Sequence, residues 1–118
     1  GIRIYALGRI PLMEDFRELA KDTRNPYGAE AKYLVAQSLY DAKEYAAAEK
    51  ELLNYIEQST PHAYWLARSF VLLSDVYAAT GKDLDARQYL LSLQQNYQGN
   101  DDIESMIESR LAKLKGAN

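Results

Sequence analysis

The chain contains no cysteine, and this absence excludes several kinds of chemistry at once. Disulfide bonds, thiol catalysis and zinc sites built on cysteine all require that residue. His62 is the only histidine, so neither a pair of histidine metal ligands nor the metalloprotease pattern HExxH exists. We therefore expect no metal, no cofactor and no catalytic residue, and predict that the protein is not an enzyme.

Proline, glycine, positive charge and long apolar runs are also scarce. Three Pro and six Gly in 118 residues leave room for long helices. No apolar run approaches the roughly 20 residues of a membrane-spanning helix, so direct membrane insertion is not expected. Because 17 acidic residues outnumber 14 basic ones, we expect no nucleic-acid partner. The remaining composition, 47% hydrophobic and 26% charged, suits one small domain over residues 1–118.

Two short sequences that favour helix starts divide the chain. Asn25-Pro26 and Thr60-Pro61 each place a side-chain capping oxygen before a proline. Such an oxygen accepts a hydrogen bond from a free amide of the first turn, and proline at the first helical position lacks only an N–H that would have no partner there. We expect helices to begin near Pro26 and Pro61, the second of them extending to about Thr80.

Further start and stop signals lie in the second half of the chain. Gly81 fits the left-handed residue that ends a helix, and Gly99 is expected to end the following one. Asp83 is expected to cap the helix between them. Asp101 and Glu104 form a capping-box pattern before the last helix. The acidic residues around them could bind calcium, but acidic side chains in a first turn also complement the helix dipole, which we favour.

Apolar residues recur at helical spacing and predict two helical hairpins, at 26–58 and 61–98. A partial helical unit is expected at 1–24, where residues 2–10 fit either a short helix or an irregular end, and a polar-faced helix at 101–115. Small residues align the hairpins: Ala36 with Ser74, and Ala48 with Ala86, each 38 positions apart. Small side chains let two antiparallel helices approach closely.

This pattern resembles the tetratricopeptide repeat (TPR), a helix–turn–helix unit of about 34 residues. In the second hairpin the resemblance rests on Phe70, Leu73, Ser74, Tyr77, Gly81, Ala86, Leu90 and Leu93, and in the first on Val35, Ala36, Tyr45, Ala48, Leu52 and Pro61. The 38-residue offset, Ser74, Lys32 and Tyr55 depart from the family pattern. The resemblance implies an all-α, right-handed stack of about six helices in antiparallel pairs, ending in a capping helix.

Three strings also look like the C-terminal TPR region of large repeat proteins from Bacteroidetes-type bacteria: residues 28–33, 64–68 and 88–93. That resemblance implies no activity, and it favours the bacterial cell envelope or periplasm over the cytoplasm. The chain begins with Gly1 rather than methionine, so we expect a fragment of a longer protein.

Candidate partner-binding residues follow from the TPR register. Tyr33, Gln37 and Tyr40 would lie along one helix line that faces a concave groove, with Arg68 and Asp75 as an Arg/Asp pair on the matching line. Tyr and Arg are common interface anchors, because each combines contact area with a polar tip. The alternative is that the tyrosines pack on the neighbouring helix while the charged residues form a solvated face.

Two functions follow from these observations. The first is a non-catalytic scaffold that binds a protein or peptide in the groove. The second is a structural or assembly segment that docks onto the rest of its own chain or self-associates, because a truncated stack exposes an apolar helix face.

Overall fold

The computed structural model describes residues 26–58, 61–99 and 101–116, and within them the chain is all-helical. The described residues form five helices and no strand: α1 (Pro26–Asp41), α2 (Tyr45–Glu57), α3 (Ala63–Ala79), α4 (Asp83–Asn96) and α5 (Ile103–Gly116). The predicted all-α class is therefore confirmed for these residues. The helical unit predicted at 1–24 lies outside the described residues, as do the capping residues Asn25 and Thr60.

The predicted helix starts are correct at one proline and displaced at the other. α1 begins at Pro26, as expected. α3 begins at Ala63, two residues after Pro61, and ends at Ala79. His62 occupies the N-cap position, where its carbonyl oxygen accepts a hydrogen bond from the Leu66 amide at 3.0 Å. Pro61 therefore precedes the helix instead of occupying its first position.

The start of α4 differs from the prediction. Lys82, not Asp83, is the N-cap residue, and its side chain makes no capping hydrogen bond. Asp83 and Asp85 lie in the first turn instead, where negative charge is favourable beside the partial positive charge of a helix N-terminus. The expected left-handed residue is confirmed, because Gly81 has a φ of 80°.

The end of α4 also differs. The helix stops at Asn96, and Tyr97 already has an extended backbone, so Gly99 lies beyond the helix and does not terminate it. Gly99 has a packing role instead. A Cβ added there would collide with the Tyr97 side chain, whose hydroxyl donates a hydrogen bond across this turn to Asp101.

The turns that join α1 to α2 and α3 to α4 make the same backbone hydrogen bonds at residues 38 positions apart. The Glu44 amide donates to the Leu39 carbonyl at 2.9 Å, and the Lys82 amide donates to the Tyr77 carbonyl at 2.7 Å. The preceding residue is left-handed in both turns. It is Gly81 in the second turn, and in the first it is Lys43, with a φ of 64°.

The two helices of each pair run in opposite directions. In the first pair, the rings of Tyr40 and Tyr45 contact each other beside the turn, tilted by 52° with their centroids 5.6 Å apart. Farther from the turn, the Lys32 ammonium contacts the Glu51 carboxylate at 2.7 Å. In the second pair, residues early in α3 share a core cluster with residues late in α4.

The four small residues that align the hairpins are all buried: Ala36, Ala48, Ser74 and Ala86. Three of them have no polar side-chain atom, and the Ser74 hydroxyl donates to the Val71 carbonyl at 2.6 Å. Each pair of helices therefore approaches closely at these positions without leaving the serine hydroxyl unpaired.

Helix α3 is the centre of the described fold, since it contacts each of the other four helices. It lies beside α1 on one side and α5 on the other, while α2 packs on α1 and α3 and α4 packs on α3 and α5. The side chains that join α1, α3 and α5 therefore line one side of the fold, and this row holds all five predicted site residues.

Candidate functional site: the row of α1, α3 and α5

The predicted residues differ in how far they are exposed. Tyr33 is only 5% exposed, belongs to the hydrophobic core, and places its ring 5.6 Å from that of Trp65 on α3. This is the packed position that the alternative interpretation assigned to the tyrosines. Gln37, Tyr40 and Asp75 are half-buried, so each keeps part of its side chain in solvent.

Arg68 is held by aromatic residues. Its Nη1 donates to the Tyr64 hydroxyl at 3.0 Å and its Nη2 donates to the Tyr33 hydroxyl at 3.1 Å. The guanidinium carbon lies 4.9 Å from the Tyr33 ring centre, 5.9 Å from that of Tyr64 and 5.8 Å from that of Trp65. Such distances allow cation–π attraction. Burial opposes the charged form, but the hydrogen bonds to Tyr64 and Tyr33 outweigh it and raise the pKa of Arg68.

Both tyrosine hydroxyls that accept from Arg68 donate onward. The Tyr33 hydroxyl donates to the Gln37 side-chain oxygen at 2.9 Å, and the Gln37 nitrogen donates to Asp41 at 2.9 Å. On the other side, the Tyr64 hydroxyl donates to Asp102 at 2.9 Å. A continuous set of hydrogen bonds thus runs from the end of α1 across α3 to the residue before α5.

Asp75 and Arg68 have different partners. They are seven residues apart on α3, about 10 Å along the helix axis. The Asp75 carboxylate instead accepts two hydrogen bonds from Arg110 on α5, from Nε at 3.3 Å and from Nη2 at 3.4 Å. Burial raises the pKa of Asp75, and the positive charges of Arg110 and Lys113 offset this only in part.

Tyr40 lies close to this ion pair. Burial is the main cause of its raised pKa, followed by the negative charge of Asp75. Together Gln37, Tyr40, Arg68, Asp75 and Arg110 define a surface that we call the α1–α3–α5 face.

The sequence interpretation missed Tyr64, Asp102 and Arg110, and one numerical signal could have found the last of these. The bridge from Arg68 to Tyr33 spans 35 residues, and so does the bridge from Arg110 to Asp75. A spacing of 35 residues therefore occurs in one bridge between α1 and α3 and in one bridge between α3 and α5, whereas the bridge from Tyr64 to Asp102 spans 38 residues. Between α3 and α5, Tyr64 contacts Asp102 and, farther along both helices, Asp75 contacts Arg110, so these two helices run in the same direction. The early Tyr33–Trp65 contact and the later proximity of Tyr40 to Asp75 give α1 and α3 the same relation.

The acidic residues before α5 hold the start of that helix. One Asp101 carboxylate oxygen accepts the Ile103 amide at 3.0 Å, and the other accepts the Tyr97 hydroxyl. Burial together with Asp101 raises the pKa of Tyr97 to about 12. Within the part of the chain that the structure describes, no group of three or more acidic or histidine side chains is arranged to hold a metal ion.

Two shallow depressions lie away from the α1–α3–α5 face. One, of about 420 Å³, lies between the end of α4 and α5 and is lined by Gln94, Tyr97, Gln98, Gly99, Glu104 and Ile107. The other, of about 380 Å³, follows α2 and is lined by Ala46, Glu49, Lys50, Leu53, Asn54 and Glu57. Amide and charged side chains are prominent in both, and neither lining includes a residue of the face.

Two leucines are exposed on the outer side of α4. Leu84 is 70% exposed and Leu91 is 37% exposed, and their separation of seven positions places both on one side of the helix. Across the described ranges, no helix combines the length and the apolar composition that a membrane crossing requires.

Comparison of the chain with known protein families, with curated proteins and with solved structures gives no match.

Proposed function

We propose that the chain is a segment of a TPR-like helical-repeat scaffold that binds a protein or peptide on the α1–α3–α5 face, without catalysis. The observation that carries the proposal is the repetition of equivalent contacts. The two hairpin turns share their backbone hydrogen bonds at an offset of 38 residues, with left-handed Lys43 and Gly81 at matching positions. A chain built from one repeated helix–turn–helix unit accounts for both features.

The arrangement of α1, α3 and α5 supports the same proposal. Side-chain bridges join each of these helices to the next, from Tyr33 to Arg68 and from Asp75 to Arg110. Stacked helical pairs place their first helices side by side, and that row is the surface on which repeat proteins bind partners.

Residues on the α1–α3–α5 face and residues beneath it have different roles: some are accessible to a partner, and others hold the helices together. Gln37, Tyr40 and Asp75 are half-buried and keep polar atoms near solvent, so they are the residues that we expect a partner to contact. Tyr33 is buried and Arg68 donates to two hydroxyls, so both hold the helices in place beneath that surface. A surface held rigid before binding loses less conformational entropy when a partner docks.

The test uses the intact chain and a displayed library of random peptides. Selected peptides should bind the wild type at least about tenfold more tightly than a Gln37→Ala/Tyr40→Ala variant, since hot-spot truncations cost 1.4 kcal/mol or more. The matched control is Arg87→Ala/Gln88→Ala on the exposed side of α4, which should leave affinity unchanged. Failure to select any peptide, or equal affinity for the face variant, would count against the proposal.

A second candidate function rests on the exposed leucines of α4. Leu84 and Leu91 are two large apolar side chains exposed on one side of α4, with Arg87 and Gln88 between them. Exposed apolar side chains suit docking against the rest of the protein or another copy. If the segment self-associates, sedimentation should give a mass that rises with concentration, and a Leu84→Lys/Leu91→Lys variant should remain monomeric. A wild-type chain that stays monomeric at all concentrations would exclude self-association.

A further inference from the structure

The hydrogen bonds around Arg68 have a fixed direction. A guanidinium has only donors, so each tyrosine hydroxyl that contacts Arg68 must accept from it. A hydroxyl has a single proton, and Tyr33 donates its proton to Gln37 while Tyr64 donates its proton to Asp102. Two series of hydrogen bonds, which we call branches, therefore leave Arg68, one through Tyr33 and one through Tyr64. In each branch every group donates to the next group away from Arg68.

Each branch begins at a cation and ends at a carboxylate. The Gln37 amide donates to Asp41, the last residue of α1, and the other branch ends at Asp102, immediately before α5. Both carboxylates are exposed. A positive charge at the donor end and a negative charge at the acceptor end polarise every bond between them in the same sense, which strengthens the bonds of each branch cooperatively.

Arg68 depends on these branches because no carboxylate of the described residues contacts it directly. Within the described residues its polar contacts are the two hydroxyls, and its Nε is buried without a hydrogen-bond partner. A half-buried charge needs compensation, and here the two hydroxyls and the aromatic rings supply it. The planar fork of the guanidinium is held from both sides, so losing either hydroxyl frees it to move.

We propose that Arg68 and its branches form a relay that couples the end of α1 to the start of α5. The Arg68 relay consists of Asp41, Gln37, Tyr33, Arg68, Tyr64 and Asp102. A change in one branch releases the guanidinium and thereby weakens the other branch, although the two tyrosines lie on different helices. This inference concerns how the α1–α3–α5 face holds together, and it holds whether or not a partner binds there.

A double-mutant cycle on the intact 118-residue chain tests the relay. Tyr33→Phe and Tyr64→Phe each remove one hydroxyl and keep the ring, so both variants should fold. The first substitution frees the guanidinium. The second substitution should therefore raise the unfolding equilibrium constant by a factor that is about threefold or more smaller than the factor by which it raises that constant in the wild type. Urea unfolding of the two single variants and the double variant measures this. Additive costs, or a larger cost for the second substitution, would overturn the proposal.

Tyr40 provides the matched control. It lies on the same helix as Tyr33, but its ring contacts Tyr45 instead of Arg68. Tyr40→Phe combined with Tyr64→Phe should therefore be additive within about twofold, as expected of side chains that share no partner. Non-additivity as large as that of the Tyr33 cycle would mean that the coupling does not run through Arg68, and would overturn the proposal.

Amide hydrogen exchange gives a second, spatially resolved readout. Tyr33→Phe alters a residue of α1. The relay predicts that this substitution weakens the hydrogen bond from Tyr64 to Asp102, so amides in the first turn of α5 should exchange about threefold faster or more. Exchange in the middle of α4 should not change. If α5 exchanges as in the wild type, α1 and α5 are not coupled and the relay is excluded.

Discussion

Arg110 on α5 donates to both carboxylate oxygens of Asp75 on α3, and yet the pKa of Asp75 is raised above its ordinary value. Burial of the carboxylate is the largest cause, and the cation beside it compensates only in part. Desolvation of the carboxylate therefore offsets much of the attraction between Asp75 and Arg110. Buried ion pairs in general contribute little net stability for this reason.

The first prediction follows from this pair. Arg110→Met should destabilise the fold at pH 7 by about 1–3 kcal/mol, because it leaves a half-buried carboxylate without its cation. Since the folded-state pKa of Asp75 is raised, the folded chain binds this proton more readily than the unfolded chain, and the penalty of the charge is relieved as pH falls through that pKa. The deficit of the variant should therefore shrink between pH 7 and pH 4.

Urea unfolding at several pH values measures this deficit. Arg87→Met on the exposed side of α4 is the control, and its effect should be small at every pH. A deficit for Arg110→Met that stays constant between pH 7 and pH 4 would contradict the assignment of Asp75 as its cause.

The second prediction concerns Gly81. Its φ of 80° lies in the left-handed region, and the space around its Cα is open, so an alanine side chain would meet backbone strain but no collision. Gly81→Ala should lower the free energy of unfolding by about 1 kcal/mol. Gly81→Asn should cost less, because asparagine tolerates this conformation. Equal stabilities of wild type and Gly81→Ala would show that the turn adopts another conformation in solution.

The third prediction concerns Lys43, the residue that matches Gly81 in the first turn. It is left-handed with a φ of 64°, which a lysine adopts only at a cost. Lys43→Gly should raise the free energy of unfolding by about 0.5–1 kcal/mol, as relief of strain exceeds the added freedom of the unfolded chain. Thermal and urea unfolding would measure the gain, and a loss of stability would contradict the conformation of this turn.

The fourth prediction concerns the close approach of α3 and α4 at Ser74. Ser74→Leu should destabilise by about 1–3 kcal/mol, because a larger side chain has no room between the helices. Ser74→Ala keeps the volume and removes a hydroxyl that bonds only within its own helix, so its cost should stay below about 1 kcal/mol. Similar losses of stability for both substitutions would show that the hydroxyl of Ser74, and not the size of its side chain, is the property that stabilises the fold.

Local and periodic features of the fold were predictable from the sequence. Pro26 starts α1, Gly81 is left-handed, and the small residues at Ala48 and Ala86 are buried. Each depends on a property of the residue itself: a fixed φ, a missing Cβ or a small volume. Such properties act over one turn or one helix face, so the residue type at a position is enough to predict them.

Features that depend on neighbours in space were predicted less well. Asp83 and Gly99 have the residue types of a cap and a stop, but the chain caps at Lys82 and extends at Tyr97 instead. Nothing in the composition of the first turn marks Lys43 as left-handed, since the geometry of the hairpin imposes that conformation. Tyr33 has the helical position of a groove residue, and only the packing of α3 against α1 buries it.

From the sequence alone one could therefore predict the all-helical class of the described residues, the two helix pairs within them and the helices that bear the candidate residues. This is possible because helical periodicity and small-residue spacing are properties of contiguous segments. The tertiary structure alone decided the partners of those residues. Arg68 lies between Tyr33 of α1 and Tyr64 of its own helix, and Asp75 pairs with Arg110, because α3 packs against both α1 and α5. The contacts of Arg68 with Tyr33 and of Arg110 with Asp75 each join residues 35 positions apart, and their geometry exists only once three separate helices have docked.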